Sequence, residues 1–317
     1  MIGFTVRRLV LALVVCLIVS IIVFLGLRLL PADPLLIYIS QSDQSHYTPE
    51  KLAEMRHELG LDRSLPVQYG DWLFKVLRLD FGKSIAYRDN VLAMIGRRLP
   101  VTVHLGILAF ILSGILGVVF GVLSGIRRGT WIDIIITTVA NLGVALPPFW
   151  LGILLIYIFS FKLGVLPTFG YTSPFENFWL SARQVILPVL VLSTLPLCLV
   201  TRQTRSSMLE VLHQDYIRTA WSKGLTEKVV IIRHTLKNSL IPVLTVLGMG
   251  VPLIFAGSVL VEVVFNIPGM GRLLVDAANS LDYSLLQGGI LLITVVVVLC
   301  NLIVDISYSW VDPRVRY

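Results

Sequence analysis

VTVHLGILAFILSGILGVVFGVLSGI, residues 101–126, holds a single ionisable side chain, His104, in 26 positions. A helix needs about 20 apolar residues to cross the hydrocarbon core of a bilayer, so this run is long enough to span. Five further apolar segments lie outward from it: Leu9–Leu30, Ile134–Phe161, Val185–Val200, Ile241–Val261 and Leu286–Ser309. Val185–Val200 is short and interrupted by Pro188 and Pro196, and the polar stretch through Arg205 is expected to lengthen it. The composition agrees, with 56% hydrophobic and 14% charged residues and a mean hydropathy of +0.85. Soluble domains carry roughly 25% charged residues. The expectation is an all-α integral membrane protein with six transmembrane helices.

The formal charge of +7 does not point to nucleic acid, because the basic residues sit beside apolar spans rather than in one patch. They orient the chain instead. With the N-terminus inside, the cytoplasmic segments hold Arg7, Arg8, Arg127, Arg128, Arg314, Arg316 and a cluster from Arg202 to Lys237. The short outer loops hold only Lys162, Arg183 and Arg272. The long first outer loop carries nine basic and nine acidic residues from Asp33 to Arg98 and does not enter the count. Arg97 and Arg98 oppose this assignment, but both termini inside fits best. The first span begins with Arg7 and Arg8, is too long for a signal-peptide core and has no small-residue cleavage site after it, which predicts a retained anchor.

Two segments outside the membrane have helical patterns. In the outer loop, Thr48-Pro49-Glu50 predicts a helix start, Leu52, Met55 and Leu59 recur at helical spacing, and Gly60 stops the run. A second helix is expected over Val67–Leu77, with Trp72, Val76 and Leu77 on its apolar side. On the cytoplasmic side, Asp215–Ala220 reads as helix, Gly224 as a break, and Glu227–Asn238 as a basic helix. This makes an elbow suited to a protein partner. The domain division expected is 1–98, an anchor with a cap loop, and 99–317, a five-helix core with the cytoplasmic segment at 203–240.

Reactive constellations do not emerge. Gly82-Lys83-Ser84 lacks the glycine of a phosphate loop, since Leu77 stands five residues before Gly82. The five histidines form no i,i+4 pair, there is no Gly-x-Ser-x-Gly elbow, and Cys16, Cys198 and Cys300 lie in apolar runs without metal spacing. No metal site and no catalytic residue is expected. His104, Asp305 and Glu262 lie near span ends, which disfavours an ion-coupled secondary carrier without excluding one. Pro147 and Pro148, with Gly143 and Gly152, predict a kinked helix beside a path. Pro268-Gly269-Met270-Gly271 reads as a turn, and as a candidate gate.

Residues 215–225, Asp-Tyr-Ile-Arg-Thr-Ala-Trp-Ser-Lys-Gly-Leu, resemble the coupling segment of ABC importer permeases. In that family's motif Arg218-Thr219-Ala220 takes the Glu-Ala-Ala triplet, Gly224 the glycine, and His234–Lys237 the last element. Ala220, Gly224 and Leu236 match the general form; Lys237 stands where proline is usual. The substitutions are similar to the peptide and nickel branch. So are Leu59-Gly60-Leu61-Asp62 with Pro66–Tyr69, Leu79-Asp80-Phe81-Gly82, and Leu99-Pro100-Val101-Thr102. Glu262–Gly271, Asp282-Tyr283 and the tail Val311–Tyr317 extend the resemblance over nearly the whole chain.

The resemblance implies a type I ABC importer permease fold in a bacterial or archaeal cell membrane. It implies a second, homologous permease subunit, two ATPase subunits that bind ATP and Mg, and an extracytoplasmic solute-binding protein. The chain itself would hold no cofactor. Asp215, Tyr216, Arg218, Thr219, Ala220, Lys223, Gly224 and Leu225 would couple to an ATPase. Pro147, Pro148, Pro268, Gly269 and Gly271 would border the pathway or gate it. Small peptides are the expected cargo, with nickel or a metal chelate as the alternative.

Overall fold

The structure is a computed structural model describing residues 2–29 and 62–311, with side chains over 6–29 and 62–304. The expected helix at Thr48–Gly60, Asp305 as a side chain and the tail beyond Val311 lie outside these bounds. The described residues form helices α1 Ile2–Arg28, α2 Leu65–Leu77, α3 Val91–Ile126, α4 Trp131–Ala145 and α5 Pro148–Lys162. They continue with α6 Phe178–Leu212, α7 Asp215–Ser222, α8 Glu227–Val264, α9 Met270–Asn279 and α10 Tyr283–Val311. α5 ends in π-helical turns over Ile156–Lys162, and α8 contains another such stretch over Val230–Leu236. Five helices are long and apolar enough to cross a membrane, and the pair α4–α5 makes a sixth span if counted as one.

That pair corrects the expectation of one kinked helix over Ile134–Phe161. The axes of α4 and α5 turn by 110° at Leu146-Pro147. Both residues precede a proline, which disfavours the α region. Leu146 accordingly has φ −77°, ψ 127° and Pro147 has φ −64°, ψ 132°. Two consecutive extended residues end a helix, whereas single prolines at Pro100, Pro188, Pro196, Pro242 and Pro252 stand inside continuous helices. Two boundaries also move: α3 begins at Val91 rather than Val101, and α6 runs from Phe178 to Leu212 rather than over Val185–Val200.

The chain forms two compact units. In the unit comprising Val101–Pro268 with both chain ends, α6 is the axis against which other helices pack. Gly117, Gly121 and Gly125 of α3 recur every four residues, so they share one face. They meet Val200, Thr204 and Met208 of α6, also four apart: a Cβ on Gly121 would lie 2.4 Å from Thr204 Cβ. Small residues at such spacing let membrane helices approach until their backbones nearly touch. Gly143 of α4 fits against Cys198 of α6, and Gly152 of α5 against Val264 and Phe265. The glycines flanking the break are thus filled by packing. Val101, Leu105, Val189, Leu192, Ile254 and Ile267 belong to the apolar core of this unit.

The other unit, Leu9–Pro100 with Gly269–Val298, gathers Val76, Phe81, Val91, Ile95, Met270, Leu273 and Leu285 around Gly288 and Gly289. Phe24 of α1 is buried against Tyr69 and Trp72 of α2, and Ser20 shares a hydrogen bond with Tyr69. Of the apolar side expected for α2, Val76 is buried but Leu77 is 74% exposed. It is the last residue of the helix, where the chain already turns away.

Candidate functional site

The elbow is built around an interrupted helix. α7 buries Ile217 and Ala220 against Val230 at the start of the following helix, with Val211 and Leu225 half-buried beside them. Its end is a Schellman cap: Gly224 N–H donates to Trp221 O at 2.9 Å and Leu225 N–H to Ala220 O at 3.4 Å. The cap requires a left-handed residue, and Gly224 supplies φ +75°. The apolar contact that accompanies such caps, here Leu225 with Ala220, lies in the same cluster.

This arrangement sorts the expected coupling residues by role. Asp215, Tyr216, Arg218, Thr219, Lys223 and Gly224 are exposed and make one outward surface. Ala220 is buried and Leu225 half-buried, so these two hold the turn rather than face outward. Trp221, not singled out from the sequence, is 45% exposed on the same surface. Asn238 donates to the Tyr216 hydroxyl at 2.8 Å, tying the surface to α8. The Arg218–Asp215 ion pair spans 3.6 Å between highly exposed side chains, and contributes little to stability. No space-filling neighbour lies within 4 Å of a Cβ built on Gly224, so a partner could approach the backbone there. Beyond the elbow, Lys237 does not end the helix: α8 passes from π- to α-helical geometry through it without a break.

One polar cluster escaped the sequence reading altogether. Asp133, in the first turn of α4, is only 4% exposed. Arg205 of α6 grips it with both nitrogens, Nε to Oδ1 at 2.7 Å and Nη2 to Oδ2 at 2.9 Å. The Ser124 hydroxyl and the Gly129 N–H also donate to it. The clamp fixes the α3–α4 turn to α6 seven residues before that helix ends and the elbow begins. Sequence offers no local signal for a pair 72 positions apart.

Other motifs meet in space. Thr102, from the Leu-Pro-x-Thr element, donates to the buried carboxylate of Glu262 at 2.5 Å. Asp282 accepts from Ser84 and from the amides of Ala86 and Leu285, joining the outer-loop motif to the start of α10. His104 and Tyr171 share a hydrogen bond of 3.0 Å, and burial, with Glu176 nearby, pushes the Tyr171 phenol up.

The remaining expected residues are apart from the elbow in the sequence and take other positions. Pro147 is exposed and Pro148 half-buried, both at the α4–α5 break. Pro268 is half-buried; Gly269 precedes the first residue of α9, and it and Gly271 are buried. Among the described residues no cluster of histidine, cysteine and carboxylates could hold a metal ion.

Residues 117–317 match the binding-protein-dependent transport system inner membrane component, and residues 1–106 match the N-terminal component of such systems. The dipeptide transport system permease protein of Escherichia coli (strain K12) is 37% identical, over 100% of this chain and 99% of that one. The di/tripeptide transport system permease protein of Pseudomonas aeruginosa (strain UCBPP-PA14) is also 37% identical, with the same coverage. The dipeptide permease protein of Alkalihalophilus pseudofirmus is 36% identical over the whole of both chains. In fold, the chain resembles an inward-facing structure of the MetNI methionine ABC transporter. The TM-score is 0.53 at 14% identity, covering 69% of this chain and 96% of that one. The chain belongs to the family of inner-membrane permease components of binding-protein-dependent transport systems.

Proposed function

We propose that this chain is one of two permease subunits of an ATP-driven importer of small peptides. It supplies half of the translocation path and no ATPase chemistry. A homologous second permease completes the path, two ATPase subunits that bind ATP and Mg dock from the cytoplasm, and a solute-binding protein delivers cargo from outside. Both termini face the cytoplasm. Residues 1–98 form the anchor and outer cap, and the elbow of Asp215–Leu225 seats in an ATPase cleft. The α4–α5 break at Pro147-Pro148 borders the path. The carrying observation is end-to-end similarity, at 36–37% identity, to permeases named for di- and tripeptide transport.

The exposed elbow makes the docking part testable. Gly224→Trp collides with nothing inside the subunit, and its left-handed backbone costs about 1–2 kcal/mol. Gly224→Asn tolerates that backbone with a small side chain and so separates strain from obstruction. In the assembled complex in proteoliposomes, Gly224→Trp is expected to abolish binding-protein-stimulated ATP hydrolysis and dipeptide uptake, while Gly224→Asn retains most of both. Equal activity of the two variants would refute the docking role. Uptake of radiolabelled nickel in place of dipeptide by the unmodified complex would refute the cargo.

A further inference from the structure

A cavity of about 900 Å³ opens among α4, α6 and α8. That size lies within the roughly 300–1,000 Å³ of small-molecule sites. Each helix lines it with one stripe. Thr137 and Asn141, four apart on α4, present a hydroxyl and an amide. Arg202 and Gln203 of α6 present a guanidinium and a second amide. Met249 and Leu253, four apart on α8, are 67% and 42% exposed and face it with apolar surface. The lining is therefore amphiphilic, with polar groups from α4 and α6 and apolar surface from α8 and from Leu199 of α6.

Its charge is also asymmetric. Two arginines border the cavity, but Arg205 is spent on Asp133, which engages it through both carboxylate oxygens. Arg202 is exposed and has no carboxylate partner among the described residues. Gln203 is half-buried and its amide nitrogen already donates to Ser207, leaving its carbonyl oxygen to accept. Arg202 lines the cavity toward the elbow end of α6 and holds no carboxylate of its own among the described residues, so its guanidinium is available to an anion that enters there. A planar guanidinium fork matches a carboxylate through two parallel hydrogen bonds.

We propose that this cavity is a cargo subsite in which Arg202 binds the terminal carboxylate of the peptide. Asn141 and Gln203 take up its amide groups, and the Met249–Leu253 wall receives its side chains. The inference rests on the peptide reading above and adds to it the residue that selects for a free acid at the permease itself.

Because a binding protein would impose its own selection, the test leaves it out. Saturation-transfer NMR on the assembled, detergent-solubilised complex measures alanylalanine against its C-terminal carboxamide. The unmodified complex is expected to prefer the acid by roughly tenfold, the scale of one charge-assisted hydrogen bond. Arg202→Gln should bring the two ligands level, chiefly by weakening the acid. Arg202→Lys keeps the charge but not the fork, so a reduced preference of the same sign is expected, and it decides the matter should Arg202→Gln not assemble. Equal binding of acid and amide by the unmodified complex, no binding of either, or an acid preference unmoved by these substitutions would overturn the subsite. Uptake of alanylalanine by the unmodified complex with its binding protein tests the peptide reading separately: uptake with no role for Arg202 defeats only the subsite.

Discussion

At the scale of single residues, the Asp133–Arg205 clamp is the most consequential polar contact of the unit built on Val101–Pro268. Asp133 receives four donors, from Arg205, Ser124 and Gly129, and so is fully satisfied although nearly inaccessible. Removing Asp133 leaves the Arg205 guanidinium, 29% exposed, without compensation, at a cost below the about 3–5 kcal/mol of a fully buried pair. Asp133→Leu should therefore lower the melting temperature of the solubilised complex sharply. Asp133→Leu with Arg205→Met should recover much of the loss, because no unpaired charge then remains. Additive losses in the two single variants would show that the groups do not act as a pair. This site was illegible beforehand for a physical reason. Asp133 stands at the edge of an apolar run, where a carboxylate usually reaches water, and only the fold brings Arg205 to it. The Thr102–Glu262 and Ser84–Asp282 bonds were half legible: each partner lies in a family-like motif, but nothing in either motif names the other.

At the scale of elements, length and hydropathy made the spans readable, and termini were where reading failed. The break at Pro147-Pro148 is a case in which local chemistry contained the answer. Consecutive residues before prolines cannot both stay helical, so a stop was the better reading than a kink. Helix ends share one device. α2, α7, α8 and α9 each finish with a left-handed residue followed by an amide that reaches back five residues, to Lys75, Ala220, Glu262 and Ala277. Only the elbow uses glycine; the others place Leu79, Asn266 and Leu281 at φ 62°, 53° and 52°. Asparagine tolerates this region, whereas leucine is strained there. Leu79 is also 66% exposed, so little packing would be lost with its side chain. Leu79→Gly is accordingly expected to stabilise the protein by about 1 kcal/mol, read as a higher melting temperature. A lower one would mean that the leucine side chain contributes more than its exposure implies. The elbow itself was legible down to Gly224, because turn chemistry is local. Its inner and outer faces were not, since they depend on Val230 arriving from the next helix.

At the scale of the whole molecule, α6 sets the sidedness of everything attached to its two ends. With 35 residues it is ~52 Å long, well beyond the ~30 Å hydrocarbon core. The segment before Phe178 and the elbow after Leu212 must then lie on opposite sides of the membrane. The approach to Phe178 carries exposed aromatic residues, Phe169, Phe175, Phe178 and Trp179, of which Trp179 is of the type enriched at headgroup level. The elbow carries Arg218, Lys223 and Lys228, a positive-inside bias that supports the cytoplasmic placement proposed for it. Single cysteines at Ser173 and Ser222 would test this in intact cells, on a background in which Cys16, Cys198 and Cys300 are replaced by alanine. A membrane-impermeant maleimide should label the first from outside, and should label the second only after the membrane is opened. Labelling of Ser222→Cys in sealed cells would invert the orientation, put the elbow out of reach of any cytoplasmic ATPase and remove the basis for coupling through it. Labelling of both positions from outside would mean that α6 does not cross the membrane at all.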